Sequence, residues 1–426
     1  MNSPISRKID VYPDYRPRTV DILIRDCLDL FGGVHIVGCK WCGKSWTGMH
    51  HSNSCIFLDS PEERSFARAN PRGSLEGEEP RLVDEWQDIP ELWDMARHNI
   101  DRINRSGMYI FTGSSVPPID LTSHSGAGRF ATVKMRPMSL FESGDSSGTV
   151  SLAELFEGGE IKNFDSEMDY ERMLELIIRG GWPAGLNKNK KMAAMIPKQY
   201  IETISESDIS RVDGVKRNPG RVRRVLRSLA RNNATMAGMK VLRSDTAEEG
   251  NELSNLTVND YLDALRKIYV IDEQEAWDPS SRSKTRMITS PKRHFVDPSL
   301  AVAALNVGYE NLYKDVETLG FLFESMCYRD MSVYASVLSG KVFHYRDKHN
   351  LEADQIIEDG EGRWGAAEVR IGVLDIDSAA ENLLRMSDRF DEENGPSFLM
   401  VLNATSKAAY TRRDGVHVVP LGTLGP

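Results

Sequence analysis

The chain has 426 residues, 40% hydrophobic and 27% charged, which at ~150 residues per domain suggests two to four folded domains and excludes wholesale disorder. Its 53 Lys and Arg against 63 Asp and Glu give a formal charge of −10, which excludes a generally basic surface but leaves room for a local basic patch. The longest charge-free stretch, 106–119, contains two prolines and is shorter than the ~20 apolar residues of a membrane-spanning helix. The N-terminal stretch MNSPISRKIDVYPDYRPR has no apolar core of the kind a secretory signal needs. Five cysteines in so long a chain cannot form a disulfide framework and fit a reducing, cytoplasmic compartment.

In chain order, GGVHIVG (32–38) and NSCIFLD (53–59) read as buried strands rich in β-branched and aromatic residues, as do RLVDEW (81–86) and MYIFTGS (108–114). Between the last two, Leu92, Met95, Ala96 and Ile100 share one face of a predicted helix. Strands separated by helices point to a parallel α/β sheet. ESGDSSGTVS (142–151) reads as a linker, and 152–204 as helical apart from a turn at RGGWPAG (179–185). From Arg211 to Arg243 there are ten Lys or Arg against one acid, Asp213, a local charge of +9. There Val222, Val225, Leu226 and Leu229 form an apolar helical face, with Arg221, Arg223, Arg224 and Arg227 on the others. LTVNDYLDALRKIYVI (256–271) predicts a helix, with Thr257 as its cap, running into a strand. A second basic stretch, 280–293, carries five cations and no acid. An apolar helical region (298–338) then precedes three strand-like runs, KVFHYRD, LEADQIIE and RWGAAEVRIG.

The sharpest motif is GCKWCGKS, which fits G-x-x-x-x-G-K-[ST] directly after the strand VHIV. The backbone N–H groups of Gly38, Cys39, Lys40, Trp41, Cys42 and Gly43 would cradle phosphate oxygens. Lys44 would reach the outer phosphates and Ser45 would ligate Mg²⁺, with Trp46 beside them among the nucleotide-binding residues. RLVDEW supplies the acids such a site needs. Asp84 would hold Mg²⁺ through its water, and Glu85 would orient and deprotonate the attacking water. Thr112 and Ser114, in FTGSS, are candidates to sense the γ-phosphate. Arg129, in the loop HSGAGRF, is either a surface cation or a finger that reaches a neighbouring subunit's nucleotide, which leaves an oligomer open. The C-x-x-C of Cys39 and Cys42 lies inside the phosphate loop, which argues against a catalytic dithiol. His50, His51 and Cys55 lack a fourth metal ligand at a recognisable spacing and read as a loop.

Together GCKWCGKS, PRLVDEWQDIPELWD, FTGSS, HSGAGR and MRPMSLFESG resemble a group of prokaryotic AAA-type ATPases of the archaeal-ATPase-like kind. DISRVDG, SPKRHFVDPSL, GFLFES and HYRDK resemble that group's uncharacterised C-terminal domain. The resemblance implies ATP and Mg²⁺ as cofactors, with Lys44 and Ser45 at phosphate and metal, and Asp84 and Glu85 at metal and water. It also implies a lid in which Gly181 and Pro183 of RGGWPAG contact nucleotide. The implied order is an N-terminal tail (1–20), a P-loop α/β core (21–150), a helical lid (151–204), a winged-helix-like segment (205–295) and an α/β restriction-endonuclease-like domain (296–426). In that last domain Glu324, Asp354 and Glu368 resemble a metal-binding acid set, with Arg370 where a lysine would stand. Arginine cannot be deprotonated, so this departure counts against a nuclease. The expected function is ATP binding and Mg²⁺-dependent hydrolysis, coupled to a protein partner or to DNA or RNA through 211–243. An ATP-gated nuclease and a slow nucleotide switch are the alternatives.

Overall fold

The structure, a computed structural model, describes residues 7–8, 15–114, 126–247, 252–279, 289–347 and 351–426. Residues 280–288 of the second basic stretch, and His124 and Ser125 ahead of Arg129, lie outside the described residues. Two units divide the chain: 1–137 with 207–216 and 264–270, and the remainder.

In the first unit the short branched runs become strands because both faces are covered, as continuous apolar sequence requires. These are β1 (Arg7–Lys8), β2 (Gly33–Val37), β3 (Ser54–Phe57), β4 (Arg81–Asp84), β5 (Tyr109–Gly113) and β6 (Phe130–Lys134). They form one sheet in the order β1-β3-β4-β5-β2-β6, parallel except for β1. β6 carries only two fully buried residues, too weak an apolar run to read from sequence. Helices α1 (Val20–Leu30), α2 (Lys44–His50) and α3 (Glu91–Ile103) belong to this unit. Leu92, Trp93, Ala96 and Ile100 are the buried face of α3, and Asn104 ends it in the left-handed region. Trp93 stacks on Phe130 at 4.2 Å and on Trp86 at 4.8 Å, forming an aromatic core beneath β4 and β5. Trp86 Nε1 donates to His35 Nε2 at 3.0 Å, consistent with an imidazole that burial keeps neutral by lowering its pKa to about 4.

The second unit contains β7 (Val150–Ser151), β8 (Phe164–Asp165), β9 (Ile271–Gln274), β10 (Lys292–Phe295), β11 (Lys341–Arg346), β12 (Glu352–Glu358), β13 (Trp364–Arg370), β14 (Leu399–Asn403), β15 (Ala408–Thr411), β16 (His417–Pro420) and β17 (Leu424–Gly425). Its large mixed sheet runs β11-β12-β13-β14-β16-β15-β8. In chain order its labelled helices are α4 (Pro219–Arg231), α5 (Met239–Asp245), α6 (Asn255–Lys267, whose last turn falls in the first unit's segment), α7 (Val316–Val337) and α8 (Ile376–Ser387).

Three local expectations change. The stretch 142–151 is not a free linker: Ser147 N donates to Gly422 O, Ser146 Oγ donates to Leu424 O, and β7 pairs with β17. The chain's last residues satisfy those polar groups, a partnership invisible to local composition. β8, within the stretch read as helical, pairs with β15. The residue that caps α6 is Ser254, whose Oγ accepts from Thr257 N at 3.1 Å, so Thr257 lies inside the helix.

Candidate active site

In open parallel sheets ligands bind beyond the carboxyl ends of the strands, and β2 ends there in the glycine-rich loop. Gly38 has φ +153°, and a Cβ on it would lie 2.1 Å from Met135 O. The loop can therefore pass this close to the end of β6 only as glycine. Gly43, at φ +106°, turns the chain into α2. Lys44 is buried, and its Nζ folds back across the loop to Cys39 O at 2.8 Å. A loop carbonyl thus holds the ammonium.

Three elements converge on one carboxylate. Ser45 Oγ donates to Asp84 Oδ2 at 3.0 Å, and Thr112 Oγ1 donates to Asp84 Oδ1. Because β5 lies between β2 and β4, Thr112 sits between the loop and the acid. Burial pushes Asp84 up to about 6, and the neighbouring Glu85 adds to this against the hydrogen bonds from Thr112 and Ser45. Glu85 is at φ +53°, a left-handed conformation that costs a non-glycine residue about 1–2 kcal/mol. Its Oε2 accepts from Ser114 Oγ at 3.2 Å and from Gln87 Nε2. Strain of this kind gathers where a side chain must be aimed rather than packed.

Two side-chain contacts that support the loop are not announced by its motif. Buried Arg18 donates to Cys42 O and Arg136 O, both at 2.8 Å. Lys40 Nζ pairs with Asp208 at 2.7 Å. Their acceptors are backbone carbonyls or lie far along the chain, so spacing could not find them. Cys39 and Cys42 are buried, and the Cys39 thiol with the Lys44 and Arg18 charges lowers Cys42 to about 6 against the opposing effect of burial. Trp41 (φ +65°) and Trp46 are exposed on the loop's flank. His51 bonds Asp21 at 2.9 Å, while Cys55 is buried in β3.

The structure does not bring Arg129 to this end of the sheet. It precedes β6 at the amino ends of the strands, where Gly33 N donates to its carbonyl and its Nε pairs with Asp101 at 2.7 Å. Gly181 and Pro183 lie in the second unit. Gly181 N donates there to Asp297 Oδ2 at 2.9 Å, and its carbonyl accepts from Met138 N. Asp297 is in turn paired with buried Arg329.

The second unit does gather Glu324 on α7, Asp354 on β12 and Glu368 on β13. Asp354 and Glu368 sit one step beyond the Gln355–Ala367 pair of the β12–β13 ladder. Lys292, from β10, lies between acids at 2.6 Å from Glu324 and 3.1 Å from Asp354. Arg370 pairs with Glu368 at 2.7 Å and Asp354 at 3.3 Å, and Asn382 donates to Glu368. Burial, with the charge of Asp354, pushes Glu324 up to about 7 and also raises Glu368. Lys292, Val369 N–H and Arg370 outweigh the burial of Asp354 and hold it below its ordinary value. Lys292 was missed because it lies outside the three-strand run. The alternation in KRHF, with Lys292 and His294 buried and Arg293 half-buried, was the available clue.

Residues 32–143 match the family described as an AAA domain, 170–311 a domain of unknown function (DUF8612) and 319–424 another (DUF4143). The first unit therefore carries most of a region similar to AAA domains, a similarity that suggests nucleotide binding. In this chain it is followed by DUF8612 and DUF4143 regions. Uncharacterized proteins of Mycobacterium tuberculosis and Mycobacterium bovis are each 23% identical over 312 residues, covering 70% of this chain and 63% of theirs. The chain thus spans less than two thirds of the length of these curated relatives. A Walker-type ATPase of Pyrococcus abyssi is similar at 15% identity and a TM-score of 0.42, over 70% of this chain and 99% of that one. No described helix is long and apolar enough to cross a membrane.

Proposed function

We propose that the protein binds ATP with Mg²⁺ at the loop 38–45 and hydrolyses it, and that the second unit passes the nucleotide state to a protein or nucleic-acid partner. The observation that carries this reading is the meeting of Ser45 and Thr112 on Asp84, with Glu85 adjacent. A hydroxyl and a carboxylate are the hard oxygen donors that Mg²⁺ takes, so the residues fit the ion. When bound, Mg²⁺ would neutralise charge on the outer phosphates. Lys44 exchanges the Cys39 carbonyl for phosphate oxygen, and the loop N–H groups orient the chain of phosphates. Glu85, aimed by its turn and held by Ser114 and Gln87, accepts a proton from water attacking in line. Ser114 can then report the γ-phosphate through the same carboxylate. Arg129 would serve only the site of a neighbouring copy. In Glu85→Gln, phosphate release should fall about 10²–10⁴-fold while bound ATP survives gel filtration. Unchanged turnover would remove Glu85 from the mechanism.

A second reading rests on its own observation, the convergence of Glu324, Asp354 and Glu368 around Lys292. We propose that this cluster is a restriction-endonuclease-like centre in which Lys292 takes the place that the linear pattern gives to Arg370. The carboxylates fit a divalent cation, and the ammonium would stabilise charge on a scissile phosphate. Native protein with Mg²⁺ or Mn²⁺ should nick plasmid DNA, and Glu368→Ala should abolish nicking without altering ATP binding. A native protein that leaves supercoiled DNA intact between pH 7 and 9 would refute this reading.

A further inference from the structure

His50 ends α2 and His51 caps it, and the structure brings to this pair a ligand that no spacing announces. Among the described residues, the ligating atoms of Asp21, His50 and His51 all lie within 4.8 Å of one another. Asp21 stands in the first turn of α1. One carboxylate and two imidazoles from two helices thus share a site, and Cys55 is not part of it.

The carboxylate is fixed from several sides. His51 Nε2 stands 2.9 Å from Asp21 Oδ1. Tyr15 donates to the same oxygen at 2.7 Å, and Arg18 N donates to Oδ2 at 2.7 Å. Thr47 Oγ1 lies 3.2 Å from the Tyr15 hydroxyl. Arg25, one turn along α1, gives its Nε to the Asp21 carbonyl at 3.2 Å and not to the carboxylate. Bonds of this kind orient a ligating carboxylate. His50 is exposed, but its ring stacks on Tyr15 at 4.1 Å and meets His51 edge-on at 4.9 Å. The contact of His51 with Asp21 would by itself tie α1 to α2. A second imidazole held against both is what a metal site requires and a hydrogen bond does not. Two imidazoles packed side by side repel as cations, so the arrangement suits neutral rings, the form that ligates a metal.

Two ring nitrogens and one carboxylate suit Zn²⁺ and its transition-metal neighbours rather than Mg²⁺, which takes oxygen donors. Bonds of about 2.0–2.1 Å set tetrahedral ligand atoms about 3.3 Å apart, so the exposed His50 ring has only to close on a pair already formed. α2 rises ~9 Å from Lys44 to His50, which separates this site from Ser45 and Asp84.

We propose that Asp21, His50 and His51 bind one Zn²⁺-class ion, with solvent in the fourth position, and that the ion pins the C-terminal end of α2 to α1. Neither ATP turnover nor the acids around Lys292 bear on it.

The test is titration of the full chain with Co²⁺, without nucleotide, followed by absorption, and then competition with Zn²⁺ and Mg²⁺. Native protein should take up Co²⁺ with the visible bands of a nitrogen–oxygen site and without the ultraviolet charge-transfer band of a thiolate ligand. Zn²⁺ should displace it, as the order of divalent affinities requires, and a large excess of Mg²⁺ should not. His51→Ala should weaken Co²⁺ by at least the ~10–100-fold that even an outer-shell loss costs. His50→Cys, at an exposed position, should keep the ion and add the thiolate band, which identifies the ligand even if His51→Ala disturbs the packing of α2. Glu368→Ala should leave the spectrum unchanged. No Co²⁺ bound with those bands, a thiolate band in the native protein, displacement by Mg²⁺, or His50→Cys without the new band would each overturn it.

Discussion

Lys44→Ala should abolish detectable ATP hydrolysis, with a loss of at least about 10²–10³-fold, the size expected when one preorganised stabiliser of transition-state charge is removed. Lys44 is buried and held by Cys39 O at 2.8 Å, so its charge is already at the phosphate loop before nucleotide arrives and little ordering remains to be done on binding. Alanine removes that charge but leaves Gly38, Gly43 and the loop N–H groups in place. ATP affinity should therefore fall less than turnover, which fluorescence-detected ATP titration beside phosphate release would show. The loop contains no other ammonium positioned to substitute, since Lys40 is paired with Asp208. Equal turnover in the two proteins would move the chemistry elsewhere.

The second large effect is expected at Lys292→Met. Lys292 is the cation between Glu324 and Asp354, and against the effect of burial those two carboxylates raise its own pKa. Removing one partner from a buried ion cluster costs about 3–5 kcal/mol, which in a unit of this size lowers the midpoint of its melting transition by about 10 °C. The sign of the pH dependence follows from Glu324. Its folded pKa of about 7 lies above the ordinary ~4.3 of glutamate, so the folded state binds that proton more tightly than the unfolded state. Stability is lost as pH rises between those values. Lys292 pulls Glu324 down, so its removal raises Glu324 further and widens that window. The Lys292→Met deficit should accordingly be larger at pH 8 than at pH 5. If Glu324, Asp354 and Glu368 accept a divalent cation, Mg²⁺ should recover part of the loss at pH 8. Equal deficits at both pH values would reduce Lys292 to a packing role.

The contrast between these two lysines shows what was legible in the sequence. Lys44 was readable because a phosphate loop is a local object. Its glycines, lysine and hydroxyl are fixed by backbone angles over eight residues, and the preceding strand announces itself by continuous apolar sequence. Asp84, Thr112 and Ser114 followed because strands of a parallel sheet present their carboxyl ends together. In the structure Ser45 and Thr112 each donate a hydrogen bond to Asp84. Lys292 was not readable as part of the acid set, because a buried charge is compensated through space and β10 lies 62 residues before Asp354. Arg18, which holds two backbone carbonyls, left no pattern at all. The basic run 211–243 was legible as charge, but the pairing of Arg223 with Glu202 and Glu206 depends on helix neighbours. Likewise β7 and β8 found their partners among the last twenty residues, beyond the reach of local periodicity.

The most direct test of the central claim is steady-state phosphate release from ATP by native protein, with Mg²⁺ and then with excess EDTA, run beside Glu85→Gln purified identically. Hydrolysis that requires Mg²⁺ and disappears in Glu85→Gln, while that variant still retains ATP, is the result expected of the site formed by Lys44, Ser45, Asp84 and Glu85. Hydrolysis that persists in EDTA, or that is the same in both proteins, would contradict it.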